Sequence, residues 1–114
     1  MTPEQRLEAI LKGKVWETVQ EHLDGDWSRV SSLFAIPRSA FDAWADGIEL
    51  PYGRVSKEKA ACDGIYVLPD TEGWLVFEQQ RGVHMPGERV YADYRQAKRA
   101  ALSLEYLRAL RGPP

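Results

Sequence analysis

Along the first quarter of the chain the apolar positions recur at helical spacing. Leu7, Ile10 and Leu11 form one stripe, and Val15, Val19 and Leu23 continue it beyond Gly13, the pattern of helices that bury a single face. Thr2, Pro3 and Gln5 give the first helix its start. Thr2 can cap, Pro3 stands where no amide proton is needed, and Gln5 can reach back as the capping-box partner. Gly13 is where the stretch can divide into two helices. Asp24-Gly25-Asp26 reads as a turn, with Asp26 placed to cap a short helix from about Trp27 to Phe34. Ala35-Ile36-Pro37 interrupts that helix, because the residue before a proline is pushed out of helical geometry while the proline suits the start of the next. The second helix is predicted from about Arg38 to Asp46, stopping at Gly47.

Residues 49–63 read as a connector in which Pro51 and Gly53 are loop formers and Ser56 to Cys62 has room for one or two helical turns. Beyond it the period shortens. Gly64–Leu68 and Trp74–Gln80 are rich in β-branched and aromatic residues and flank a turn over Pro69–Gly73, so a hairpin is predicted. After a loop over Arg81–Glu88, Arg89–Ala92 supplies a third strand. Asp93 caps the last helix, with Gln96 as its partner three residues on. Ala97, Ala100, Ala101, Leu104 and Leu107 give that helix a small-residue face suited to lying close on a sheet, and Gly112-Pro113-Pro114 ends it. The expected fold class is α+β in a single domain over 1–114. A helical part spans 1–48, the connector follows, and 64–112 forms a three-stranded antiparallel meander packed by the C-terminal helix. Tyr66, Trp74, Tyr91 and Tyr94 are assigned to the core, since three strands and a helix must bury most such rings.

Composition narrows the function classes. A chain of 114 residues with 44% apolar residues and four tryptophans can bury one modest core. No apolar run approaches the roughly 20 residues that a membrane helix needs, and the first residues lack the cationic start and hydrophobic block of a secretory signal, so a cytoplasmic protein off the membrane is expected. Cys62 is the single cysteine, which leaves no internal disulfide and no cysteine-rich zinc site; a buried small apolar residue is expected there. His22 and His84 have no second ligand at metal spacing, and Gly82 and Gly87 lack the lysine and hydroxyl of a phosphate-binding loop. A Cys62–His84 nucleophilic pair has nothing local to activate the thiol. No cofactor and no enzymatic activity are expected. The net charge of −2 is unevenly distributed: residues 1–50 hold five basic and nine acidic residues, whereas residues 51–114 hold ten and eight.

The stretch SRVSSLFAIPRSAFDAWADG resembles the helix-turn-helix of small phage and bacterial repressors. Val30, Leu33, Phe34, Ile36, Phe41 and Trp44 fall where that motif packs apolar groups, while Ala35 stands where the family often has glycine and Ser31 where it usually has alanine. The resemblance covers residues 27–47 and implies a DNA-binding regulator, working as a homodimer because one short recognition helix contacts few base pairs. Carried over onto this chain, Arg38, Ser39 and Asp42 would face the major groove, with Arg38 able to contact guanine and Arg29 to neutralise a phosphate. Arg54, Lys57 and Lys59, just after the motif, are the nearest further cations. The acidic N-terminal half works against a polyanionic partner.

A second reading stays open beside it. The strand, turn, GWLVFEQQRG, strand, DYRQAKRAAL arrangement looks loosely like compact α+β domains among bacterial toxin-immunity proteins and phage-encoded inhibitors, which act by occluding a partner protein. That likeness implies an exposed charged and aromatic face as the working surface. Arg81, His84, Arg89, Arg95, Lys98 and Arg99 would form it if the hairpin loop lies near the start of the last helix. In this reading the helical pair is a corner that buries Trp27, Phe34, Phe41 and Trp44. The two readings separate on Arg38: the first needs it open and unengaged, and a salt bridge there removes its main residue.

Overall fold

Thr2 and Gln5 exchange both bonds of a capping box, the Gln5 amide donating to Thr2 Oγ1 at 3.2 Å and the Thr2 amide to Gln5 Oε1 at 2.9 Å. They open α1, Pro3–Leu11, in a computed structural model that describes residues 2–29 and 33–109. Helix α2, Val15–Leu23, follows and ends at Asp24 in the left-handed region. Asp26 then caps, as predicted, by accepting from the Ser28 amide at 3.0 Å. What it caps is a 3-10 turn over Trp27–Arg29; Val30, Ser31 and Ser32, the middle of the first helix expected there, lie outside the described residues. Helix α3 runs over Arg38–Asp46 behind an extended Pro37 and stops at Gly47, on the predicted boundaries.

The strands are β1 (Val55–Ser56), β2 (Gly64–Asp70), β3 (Gly73–Gln80), β4 (Val83–His84) and β5 (Arg89–Tyr91). β2 and β3 form the expected hairpin in a register that places Tyr66 opposite Phe77 and Val67 opposite Val76. β4 and β5 share the other edge of β3, antiparallel to it, so the third strand of the meander is split in two around residues 85–88. The connector departs from expectation. It carries no helical turn, and β1 instead pairs parallel to β2. Two contacts explain this. The Ile65 amide donates to the Arg54 carbonyl at 3.0 Å, and a Cβ at Gly64 would lie 2.8 Å from that same oxygen, so glycine is what permits the approach. Farther along, the carbonyls of Ala60 and Cys62 accept from the buried Tyr66 hydroxyl and from Gln79 Nε2, which holds the segment away from helical pairing. The fold is α+β with a mixed sheet.

Helix α4, Tyr94–Ala109, starts with the Gln96 amide donating to Asp93 Oδ1 at 2.8 Å and lies across β2 and β3. Ala97, Ala101 and Leu102 face Ile65, Val67 and Val76 in a core that continues without a break into Leu7, Ile10, Val19, Phe34, Phe41 and Ala45. The helical part and the sheet therefore share one apolar interior. Among the described residues no helix is long and apolar enough to cross a membrane.

Candidate interaction surface

Helix α3 carries Arg38, Asp42 and Asp46, and its contacts with α4 engage the two aspartates. Arg38 Nε sits 3.0 Å from Asp42 Oδ1, one helical turn on, and its guanidinium lies over the Phe41 ring at 5.4 Å. Asp42 also faces Arg99 of α4 at 3.7 Å. Asp46 accepts four hydrogen bonds: from Arg99 Nε at 2.8 Å and Nη2 at 2.6 Å, and from Arg95 Nε at 3.0 Å and Nη2 at 2.6 Å. Hydrogen bonds from Arg99 first and Arg95 second hold the Asp46 carboxyl well below the usual carboxylate range. The same bonds push both guanidinium pKa values up. Two-pronged arginine–carboxylate contacts of this kind fix geometry as well as charge. Lys98 completes the joint: it is buried, and its ammonium donates to the carbonyls of Ile48 at 2.7 Å and Asp46 at 3.3 Å. A cation at the C-terminal end of α3 is also where the helix dipole favours one.

The residues expected to touch DNA therefore have different situations. Arg38 and Ser39 are exposed at the start of α3, but Arg38 is ion-paired and Asp42 is turned toward α4 with 23% of its side chain exposed. Arg29 is exposed on the 3-10 turn and Arg54 ahead of β1. Lys57 lines a separate hollow with Asp46, Gly47 and Trp74, which puts it at the opposite end of α3 from Arg38. The six residues of the alternative surface separate into four places. Arg81, in a left-handed conformation, is held through its backbone amide by Asp63 at 2.6 Å. His84 stacks on Phe77 at 4.3 Å and meets Glu88 at 3.1 Å. Arg95, Lys98 and Arg99 belong to the joint with α3, and Arg89 and Arg99 converge with Arg38 on one open groove.

That groove, of about 710 Å³, runs between the outer face of α4 and β5. Arg38, Arg89 and Arg99 line it together with Tyr91, Ser103 and Leu104. A smaller hollow of about 340 Å³ shares Arg38 and Ser103 and continues to Ile36, Tyr106 and Leu107. Leu104 and Leu107 are 43% and 58% exposed, which corrects the expectation that they lie on the sheet. The buried arc of α4 is instead Ala97, Lys98, Ala101, Leu102 and Glu105. The apolar pattern placed the arc a fraction of a turn away because it passed over the buried Lys98 and Glu105. Among the described residues Glu105 Oε2 has no hydrogen-bond partner, and burial pushes its carboxyl up against the pull of Arg54 and Arg108. Arg108 meets Glu78 on β3 at 3.2 Å.

Cys62 is exposed, against the expectation of a buried residue. Its backbone carbonyl is the part held by the core, while its thiol lies 3.4 Å from the Tyr66 hydroxyl. A scan against protein-family models, a search of curated proteins and a search of solved structures each found no match to the chain.

Proposed function

We propose that this is a non-enzymatic, cytoplasmic binding protein that works by covering a protein partner, in the manner of toxin-immunity proteins or phage-encoded inhibitors. The observation that carries the reading is the joint between α3 and α4. A recognition helix must present its polar side chains to base edges, whereas here Asp42 and Asp46 turn onto Arg95 and Arg99 and Arg38 is paired with Asp42. In this reading α3 is scaffold. The groove beside it combines guanidinium groups with exposed leucine and a half-buried tyrosine, the mixture of apolar core and charged rim that serves protein contacts; a phosphate backbone has no use for the leucines.

The test has two arms. Wild-type protein and the Leu104→Glu variant are used to capture partners from source cells, and any protein lost with the variant is purified and titrated back. A saturable complex of defined stoichiometry is expected. Labelled duplex DNA is titrated in parallel across a salt series, and no saturable binding is expected. Salt-sensitive duplex binding that drops in Arg38→Ala would return the function to the helix-turn-helix reading.

A further inference from the structure

Building on that reading, we propose that the groove between α4 and β5 receives an acidic, amphipathic segment of the partner protein. Charge argues for acid. Around this face three arginines, Arg38, Arg95 and Arg99, already share two aspartates, Asp42 and Asp46. Arg89 has no ion-pair partner among the described residues. Asp93 and Glu88 lie near this face as well, but Asp93 caps α4, Glu88 faces His84, and neither lines the groove. The groove's own lining is left with three guanidinium groups and no carboxylate.

Shape argues for an amphipathic segment rather than a bare anion. The groove wall is one stripe of α4, in which Gln96, Arg99, Ala100, Ser103 and Leu104 face the opening and Leu107 extends it. From Gln96 to Leu107 the stripe is about 16 Å long, enough to lay three helical turns of a partner alongside it. Its two ends differ. The N-terminal end is cationic, and the C-terminal end exposes Leu104 and Leu107. A segment with carboxylates on one side and apolar residues on the other satisfies both ends, burying the leucines while its acids meet guanidinium groups.

The experiment follows the amide signals of the isotope-labelled full chain by NMR. Four probes are titrated: a synthetic peptide of about twelve residues with leucines on one helical face and glutamates on the other, the same peptide with lysine for glutamate, a scrambled version, and a short DNA duplex. The acidic amphipathic peptide is expected to shift Arg89, Tyr91, Arg99, Ser103 and Leu104. The shifts should weaken about tenfold or more in Arg89→Glu and in Leu104→Glu. Both side chains are exposed, and a circular dichroism melt confirms that each variant folds. No shift at these amides up to about 1 mM peptide, equal shifts with the lysine or scrambled peptide, or stronger shifts with the duplex would overturn the proposal. A protein partner whose complex ignores both substitutions would overturn it too while leaving the protein-binding reading intact; duplex binding with no protein partner would remove both.

Discussion

Gly73 adopts a φ of +144°, and any side chain there would collide with the Tyr91 carbonyl. The residue is thus fixed by the close passage of β5, not by the hairpin turn alone. Gly73→Ala is expected to destabilise the fold by roughly 2–4 kcal/mol through strain and the displaced strand, measured by denaturant unfolding; a change under about 0.5 kcal/mol would mean that β5 does not pass so close. Glu105 makes the opposite kind of case. Burial raises its carboxyl pKa above the ordinary 4.5, so the fold favours its neutral form. The stability this contributes is complete below the unfolded value and is lost as pH rises through the raised one. Glu105→Gln should therefore gain stability relative to wild type at neutral pH, and the gain should vanish in acid below pH 4.5. Thermal melts across pH check the sign, and a variant less stable at pH 7 would show that Arg108 and Arg54 outweigh the burial.

At the scale of elements, the joint between α3 and α4 is the feature on which the protein-binding proposal rests, and it has its own pH signature. Asp46 is held below its ordinary carboxylate value, so its contribution is present above the unfolded pKa of 3.8 and is lost only as pH falls through the lower folded value. Asp46→Asn is expected to lower the melting temperature from neutral pH down to about pH 4, with the difference closing only in stronger acid. A constant difference at all pH values would point to packing rather than charge. Lys98→Met keeps the stem but leaves two carbonyls at the end of α3 without their donor, which costs roughly 1–3 kcal/mol in the same unfolding assay. Much of the element order was legible from sequence. Thr2, Asp26, Pro37, Gly47 and Asp93 mark starts and stops by local chemistry, and the chain obeys each of them. What was not legible depends on contacts distant in sequence. β1 forms because Gly64 lets the Arg54 carbonyl approach, Cys62 is exposed because its carbonyl is what Tyr66 and Gln79 hold, and α4 is rotated because Lys98 and Glu105 are buried. Period alone assigns polar residues outward, so such a rotation escapes it. The candidate surface was read in the same partial way: Arg89 and Arg99 were on the expected patch, but Arg38 was assigned to DNA and Leu104 to the core.

For the whole molecule, charge and exposure point to one face. The net charge of −2 gives no general attraction for polyanions, and two of the three guanidinium groups that line the groove are already engaged. Such a face suits a partner that brings both carboxylates and apolar surface. The opposite kind of surface also exists, since Trp16 is 46% exposed and stacks with Trp27 at 6.2 Å on the helical part, so a partner could have been expected there instead. The most direct test is therefore side-chain footprinting by hydroxyl radicals on the complex reconstituted with the captured partner, compared with the free protein. Protection of Leu104, Leu107 and Tyr91 is expected, with Trp16 as reactive as in the free chain. Protection of Trp16 with Leu104 and Tyr91 unchanged would contradict it and move the interface to the helical part.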